Sequence, residues 1–311
     1  MRVIFFGTSA FAVPSLEQVV QRGHAVVACV TQPDRPQGRG LVVEPSPVKR
    51  AAERLGLPLL QPERLDAAAF QPLQPDAGIV IAYGKLIPPW LLALPRHGML
   101  GVHPSLLPKY RGAAPVAWAL LNGERTTGVT IFRLNARLDA GELFAQRTVE
   151  IAQDEDAERL TERLARLGAE VLAQVLDDVA AGRGQATPQD DAQATVAPKL
   201  TKAQGWMMWD QPAAVLERVV RATVPWPGAA TEWRGQPLKI WKAVAQDGIS
   251  GAAPGTVIRA AADGVDIAAG AGVLRLLEMQ PAGRRRMPVK EFLAGYSLQA
   301  GDRLGTTEGG G

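Results

Sequence analysis

Apolar positions follow two alternating rhythms over the first half of the chain. A continuous apolar run at residues 3–7 and mainly apolar runs at 25–31, 78–82 and 99–103 have the length of buried strands. Between the first two, residues 14–22 carry the spacing of a helix, so the opening reads as a β-α-β unit. Ser46-Pro47 offers an N-cap and a first-turn proline for a helix running to Leu55. Strands alternating with helices predict a parallel sheet covered on both faces, with ligands outside the carboxyl ends of its strands. Residues 129–134 and 144–151 predict closing strands. A helix over 156–181 then places Leu160, Leu164, Leu167, Val171 and Val175 on one face.

The rhythm stops after Gly182. Residues 182–193 are polar, contain a proline and have no period, as expected of an exposed linker. Past a helix at 212–222, short β-like runs at 229–233, 238–244, 255–258, 265–268 and 273–279 are separated by turns, which predicts a small β-barrel. The expected organisation is an α/β domain at 1–184, a linker at 185–206 and a barrel domain at 207–311.

Composition agrees with two soluble domains: 311 residues, 47% apolar and 21% charged. The single Cys29 lies among valines and excludes an internal disulfide, which fits a reducing cytosol. The apolar run at the start is too short for a signal peptide or membrane span, so a cytoplasmic protein is expected. A net charge of +3 argues little for a nucleic-acid partner, and the placement of charge must decide.

Chemistry concentrates in Gly101-Val102-His103-Pro104-Ser105-Leu106-Leu107-Pro108-Lys109-Tyr110-Arg111-Gly112 and in the later Leu138-Asp139-Ala140-Gly141. A histidine leaves an apolar strand for a proline-bracketed loop, and a carboxylate follows at another strand end. That is the layout of an oriented general base. A strand-end histidine alone is more often a satisfied polar group, and Asp139 supplies the context that favours catalysis. His24 and His97 have no such context and are expected to be structural or solvated. One cysteine and three scattered histidines give no metal-ligand spacing. Gly38-Arg39-Gly40 opens no helix and is not a phosphate fingerprint, which disfavours a nicotinamide dehydrogenase. Trp226, Trp233 and Trp241 sit in apolar settings and are expected to pack in a core.

Taken with Phe5-Phe6-Gly7-Thr8-Ser9, Thr31-Gln32-Pro33-Asp34-Arg35-Pro36-Gln37-Gly38-Arg39-Gly40, Ala82-Tyr83-Gly84, Lys199-Leu200-Thr201-Lys202 and Pro225-Trp226-Pro227-Gly228, these segments resemble the methionyl-tRNA formyltransferase family over nearly the whole chain. The resemblance implies a Rossmann-like formyltransferase domain with a mainly parallel sheet, followed by an OB-like barrel that touches tRNA. It implies transfer of a formyl group from the co-substrate 10-formyltetrahydrofolate to the α-amine of initiator methionyl-tRNA. No metal and no membrane partner are expected, and a monomer is expected. His103 would move the amine proton, Asp139 would orient the ring, and Ser105, Leu106, Leu107 and Pro108 would line the folate site. The glycine-rich loop carrying Arg35 and Arg39 would meet the acceptor stem. Lys199, Lys202, Arg284, Arg285 and Arg286, with Lys290, would meet backbone phosphates.

One position departs from the pattern. The family usually has Asn two residues before this histidine, where the chain has Gly101. An Asn amide donates to a developing oxyanion, and losing one such donor costs on the order of 3 kcal/mol. Transfer is therefore expected to be slower unless a water or the protonated His103 supplies the donor. Two alternatives stay open: a formyltransferase acting on an amino sugar nucleotide, and a catalytically weak folate- and tRNA-binding homologue. Met208 and Arg137 are lesser departures, and Arg137 adjoins the Asp139 turn.

Overall fold

The computed structural model describes residues 1–37, 42–248 and 251–305. The chain divides into two compact units. The first comprises Met1–Pro115, Thr126–Glu150 and Thr161–Ala197, and the second Val116–Arg125, Ile151–Leu160 and Pro198–Gly311.

The first unit is a seven-stranded sheet. Its strands are β1 (Arg2–Gly7), β2 (Ala25–Val30), β3 (Leu59–Leu60), β4 (Ala77–Ile81), β5 (Met99–His103), β6 (Thr126–Arg133) and β7 (Leu143–Glu150), in the spatial order β7-β6-β5-β4-β1-β2-β3. From β5 to β3 neighbouring strands run parallel, whereas β6 and β7 are antiparallel additions. The chain lays β2 on one side of β1 and returns with β4 on the other, which opens a crevice at the carboxyl edge. Val3, Ile4, Phe5 and Phe6 are all fully buried, as both faces of a covered sheet require. Cys29 belongs to this core, where burial pushes its thiol up to about 12 and leaves it inert.

Helices α1 (Val13–Gln21) and α2 (Pro47–Arg54) follow the expected spans closely. Ser46 caps α2, its Oγ accepting from the Lys49 amide at 3.0 Å and lying 2.7 Å from the buried Thr31 hydroxyl. Helix α3 (Ala157–Ala180) buries Leu160, Leu164, Val171 and Val175 as its period predicts, while Leu167 at the margin of that face is only half-buried.

The stretch expected to be a linker is built into the first unit as far as Ala197. Leu143 and Thr187 exchange both backbone hydrogen bonds, at 2.8 and 2.9 Å, and Val196–Ala197 pairs in parallel with Arg111–Gly112. Single bridges and two-residue pairings leave no hydrophobic period, so this strap reads as polar coil in the sequence.

The second unit is antiparallel. After α4 (Ala213–Ala222) come β8 (Ala229–Trp233), β9 (Gln236–Gln246), β10 (Val257–Ala261), β11 (Gly264–Ala268) and β12 (Val273–Pro281), ordered β8-β9-β12-β11-β10. The edge strands are joined by the segment after α5 (Val289–Gly295): the Val257 amide donates to the Asp302 carbonyl at 2.8 Å and the Gly305 amide to the Glu232 carbonyl at 2.9 Å. The result is a small barrel around Leu216, Ile240, Val265, Ile267, Leu274, Leu276 and Phe292. Among the described residues no helix is long and apolar enough to cross a membrane.

Replacing Ser46 by Ala removes the α2 cap and strands the Thr31 hydroxyl. Denaturant unfolding is expected to register a loss of about 1–2 kcal/mol, and an unchanged unfolding midpoint would contradict this role.

Candidate active site

Strand β5 delivers His103 to the carboxyl edge with its side chain buried, 6% exposed. The loop that follows is fixed by its own polar groups. Ser105 Oγ donates to the Lys109 carbonyl at 2.6 Å, and Thr130 Oγ1 on β6 donates to the Ser105 carbonyl at 2.7 Å. Thr130 Oγ1 also accepts from the Leu107 amide at 3.1 Å, and Gln146 Nε2 on β7 donates to the Leu107 carbonyl at 2.7 Å. These bonds carry the chain to Tyr110, whose φ of 62° turns its carbonyl back toward the histidine.

His103 Nε2 lies 2.8 Å from that carbonyl, and a carbonyl only accepts, so Nε2 carries the hydrogen. The unprotonated nitrogen of the neutral ring is then Nδ1. It faces Asp139 Oδ2 at 3.8 Å, too far for a direct hydrogen bond. Burial lowers the imidazole pKa below the ordinary 6.5, while the Asp139 charge and the Tyr110 carbonyl pull it partly back up. The site therefore holds a neutral base at neutral pH, with an anion placed to stabilise the cation it forms.

Asp139 occupies a left-handed turn at φ 47°, and its Oδ2 accepts from the Gly112 amide at 2.8 Å. Gly112 itself has φ 122°, and a Cβ there would meet the Ala197 carbonyl oxygen at 2.7 Å. Glycine is required at this point because the backbone that holds the carboxylate passes so close to the strap.

Gly101 lies on β5 opposite Phe132 of β6. A Cβ at this position would fall 2.6 and 2.9 Å from Phe132 ring carbons and 2.8 Å from Leu134 Cδ1. The Phe132 ring stands edge-on to His103, with centroids 6.4 Å apart. Here two apolar side chains occupy the space beside Gly101.

Of the residues expected to line a folate pocket, Ser105 and Leu107 are buried and their backbone groups are engaged by Thr130 of β6 and Gln146 of β7. Leu106 and Pro108 are half-buried and supply apolar surface beside His103. The Ala82–Gly84 turn follows β4, with positive φ at Ala82 and Gly84, and the Tyr83 carbonyl accepts from Thr8 Oγ1 at 2.9 Å and Gln32 Nε2 at 2.8 Å. Arg35 opens a β-hairpin, paired with Glu44, while Arg39 with Gly38 and Gly40 lies outside the described residues. His24 and His97 make local contacts with Asp177 and Arg96. Among the described residues no cluster of His, Cys, Asp and Glu is placed to hold a metal ion.

The second unit carries the other candidate residues. Lys199, Lys202, Arg284, Arg285, Arg286 and Lys290 are exposed. Arg285 pairs with Glu291 and Arg286 with Glu278, so two of the three consecutive arginines are partly neutralised. The expectation for the tryptophans needs correction. Trp233 does pack with Phe292 and Tyr296, but Trp226 is 51% exposed. Trp241 is half-buried, with Lys239 Nζ 5.2 Å and Arg286 Cζ 5.6 Å from its ring centre. Lys239 was not among the expected residues. Its alternation with Trp241 along β9 is the only sequence signal, and that signal is shared with any half-exposed strand.

Residues 1–176 match the family described as Formyl transferase, and residues 199–297 match Formyl transferase, C-terminal domain. The chain is 43% identical to a methionyl-tRNA formyltransferase of Geobacter metallireducens, covering 98% of this chain and 99% of that protein. It is 48% identical to one of a Roseiflexus species, covering 98% and 95%. Among solved structures, the sugar 3N-formyl transferase WlaRD, in the presence of dTDP and 5-N-formyl-THF, superposes with a TM-score of 0.68 over 92% of this chain and 99% of that one. At 14% identity it supports the fold alone.

Titration of His103 by NMR is expected to give a midpoint below 6.5. Asp139→Asn should move it lower still, because the anion that favours the imidazolium is gone. A midpoint above 6.5, or one indifferent to Asp139, would contradict the assignment.

Proposed function

Because the chain belongs to the methionyl-tRNA formyltransferase family, we propose that it transfers the formyl group of 10-formyltetrahydrofolate to the α-amino group of initiator methionyl-tRNA, in the cytoplasm and for translation initiation. The observation that carries this reading is the His103–Asp139 pair, with Nε2 pinned to a carbonyl and Nδ1 turned toward a carboxylate.

The bound folate supplies the formyl carbon in activated form. The chain's residues do the rest. An aminoacyl-tRNA amine attacks only when neutral, and the Nδ1 lone pair takes the proton it sheds. The new Nδ1–H then points at Asp139, so charge forms where a fixed anion already stands. As the tetrahedral adduct collapses, the bond between the formyl carbon and the folate nitrogen breaks, and the imidazolium gives its proton to that nitrogen, releasing tetrahydrofolate and restoring the neutral ring. The 3.8 Å gap between Nδ1 and Oδ2 leaves room for that exchange without breaking an existing hydrogen bond. Pro104, Leu106 and Pro108 give the folate an apolar wall, with Ser105 and Leu107 holding that wall in shape. Lys199, Lys202, Arg284 and Arg286, joined by Lys239 and Trp241, suit the phosphates and bases of the tRNA, and Arg35 and Arg39 suit its acceptor end.

Identity separates this reading from sugar nucleotide formylation. The likeness to WlaRD is one of fold at 14% identity, whereas the tRNA enzymes match at 43–48% over nearly the full chain.

Formylation of charged initiator methionyl-tRNA with 10-formyltetrahydrofolate tests the proposal. His103→Ala should lower kcat by about a hundredfold or more, and absence of formyl-methionyl-tRNA with the parent protein would refute the function. Gly101 gives a second test. Gly101→Asn alone is expected to lower thermal stability and leave the rate no higher, since its Cβ meets Phe132 and Leu134. Combined with Phe132→Ala, the same Asn should raise the rate above that of Phe132→Ala alone, by up to roughly a hundredfold. No gain in the double variant would mean that the missing donor does not limit transfer.

A further inference from the structure

The strap over residues 187–197 grips the backbone of the Asp139 turn with the Gln189 side chain. Its Nε2 donates to the Asp139 carbonyl at 2.8 Å and to the Gly141 carbonyl at 2.7 Å. Its Oε1 accepts from Arg111 Nε at 3.1 Å and Arg111 Nη2 at 2.7 Å. Both hydrogens and both lone pairs of the carboxamide are thereby used. Only a carboxamide offers two donors to a pair of carbonyls and two acceptor sites to a guanidinium from one flat group. Glutamate would set an anion against two carbonyl oxygens, and lysine would repel Arg111.

Behind Gln189 a second tie runs in parallel. Asp191 accepts from Arg111 Nη2 at 2.7 Å and from Arg137 Nη2 at 2.6 Å, and these two guanidiniums hold its carboxyl below the usual carboxylate range. Arg137 stands two residues before Asp139, which gives that departure from the family pattern a physical role: it tethers the turn to the strap. The turn has little slack elsewhere, since a Cβ at Gly141 would lie 1.7 Å from the Arg133 carbonyl oxygen. Asp139 itself takes a left-handed φ of 47°, which aspartate tolerates better than most residues. Residue 189 falls between the two matched family regions, 1–176 and 199–297.

We propose that Gln189 is a positioning residue for formyl transfer: its carboxamide locks the Asp139 turn to Arg111 and so sets the Asp139 carboxylate against His103 Nδ1. The inference rests on the reading of His103 and Asp139 as the reacting pair. Asp139 is the charged group acting on the His103 ring, with the Tyr110 carbonyl on its other nitrogen, while Arg111, Arg137 and Asp191 hold the turn from behind.

Two variants of the full chain test it, Gln189→Ala and Gln189→Glu, each followed by kcat, KM for the folate, the His103 NMR titration midpoint and thermal unfolding. Gln189→Glu keeps an acceptor for Arg111 but loses the donors to the carbonyls, so it separates the grip on the turn from the stability of the strap. Both variants are expected to lower kcat by roughly ten- to a hundredfold with little change in KM, and Gln189→Ala, which adds no charge, to move the His103 midpoint to lower pH as Asp139 drifts away. A Gln189→Glu protein with the parental kcat and the parental midpoint overturns the proposal. So does a fall in unfolding temperature of Gln189→Ala with its midpoint unmoved, which is the signature of a merely structural side chain. If the parent protein transfers no formyl group, the function is wrong, and the His103 midpoint still decides whether Gln189 places Asp139.

Discussion

The hydrogen bond from His103 Nε2 to the Tyr110 carbonyl is the constraint on which the site depends. A neutral imidazole has one hydrogen and one lone pair, and committing the hydrogen to a backbone acceptor leaves the lone pair only one direction. That direction is toward Asp139. The carbonyl is available because Tyr110 takes a left-handed φ at the end of a loop pinned by Ser105, Thr130 and Gln146. The strap then locks the turn from outside, the Tyr110 amide donating to Thr195 Oγ1 at 2.8 Å. The same strap holds Asp139 through Gln189, so one segment fixes both partners of the histidine.

Burial and charge work against each other at this point. Desolvation alone would make His103 a weak base, and the carboxylate restores part of the lost affinity for a proton. The outcome is a ring that is neutral before reaction and tolerates a proton during it. Rigid placement is as necessary as the charge, because a carboxylate that moved away would leave the desolvation cost uncompensated.

The parallel sheet, the helix cap at Ser46 and the position of His103 at a strand end were legible in the sequence, because each leaves a local signature: an apolar run, a Ser-Pro pair, a loop bracketed by prolines. The antiparallel direction of β6 and β7 left none, since an apolar run does not encode its sense. The strap was invisible for a different reason. Its binding to the sheet is made of side chain to backbone bonds and two-residue pairings, which have no period and look like linker. Trp226 departs from core packing because apolar neighbours in sequence do not imply apolar neighbours in space, and its ring is half in solvent. Gly101 was recognised as unusual, but its consequence depended on Phe132, a cross-strand neighbour thirty-one positions away that only the sheet register brings near.

The central claim concerns where the proton sits on one ring. Nitrogen-15 chemical shifts of the His103 imidazole at neutral pH measure this directly. The account predicts the neutral tautomer with the hydrogen on Nε2 and an unprotonated Nδ1. A spectrum showing the hydrogen on Nδ1 of the neutral ring would contradict it, for then the nitrogen facing Asp139 would have no lone pair with which to accept the amine proton.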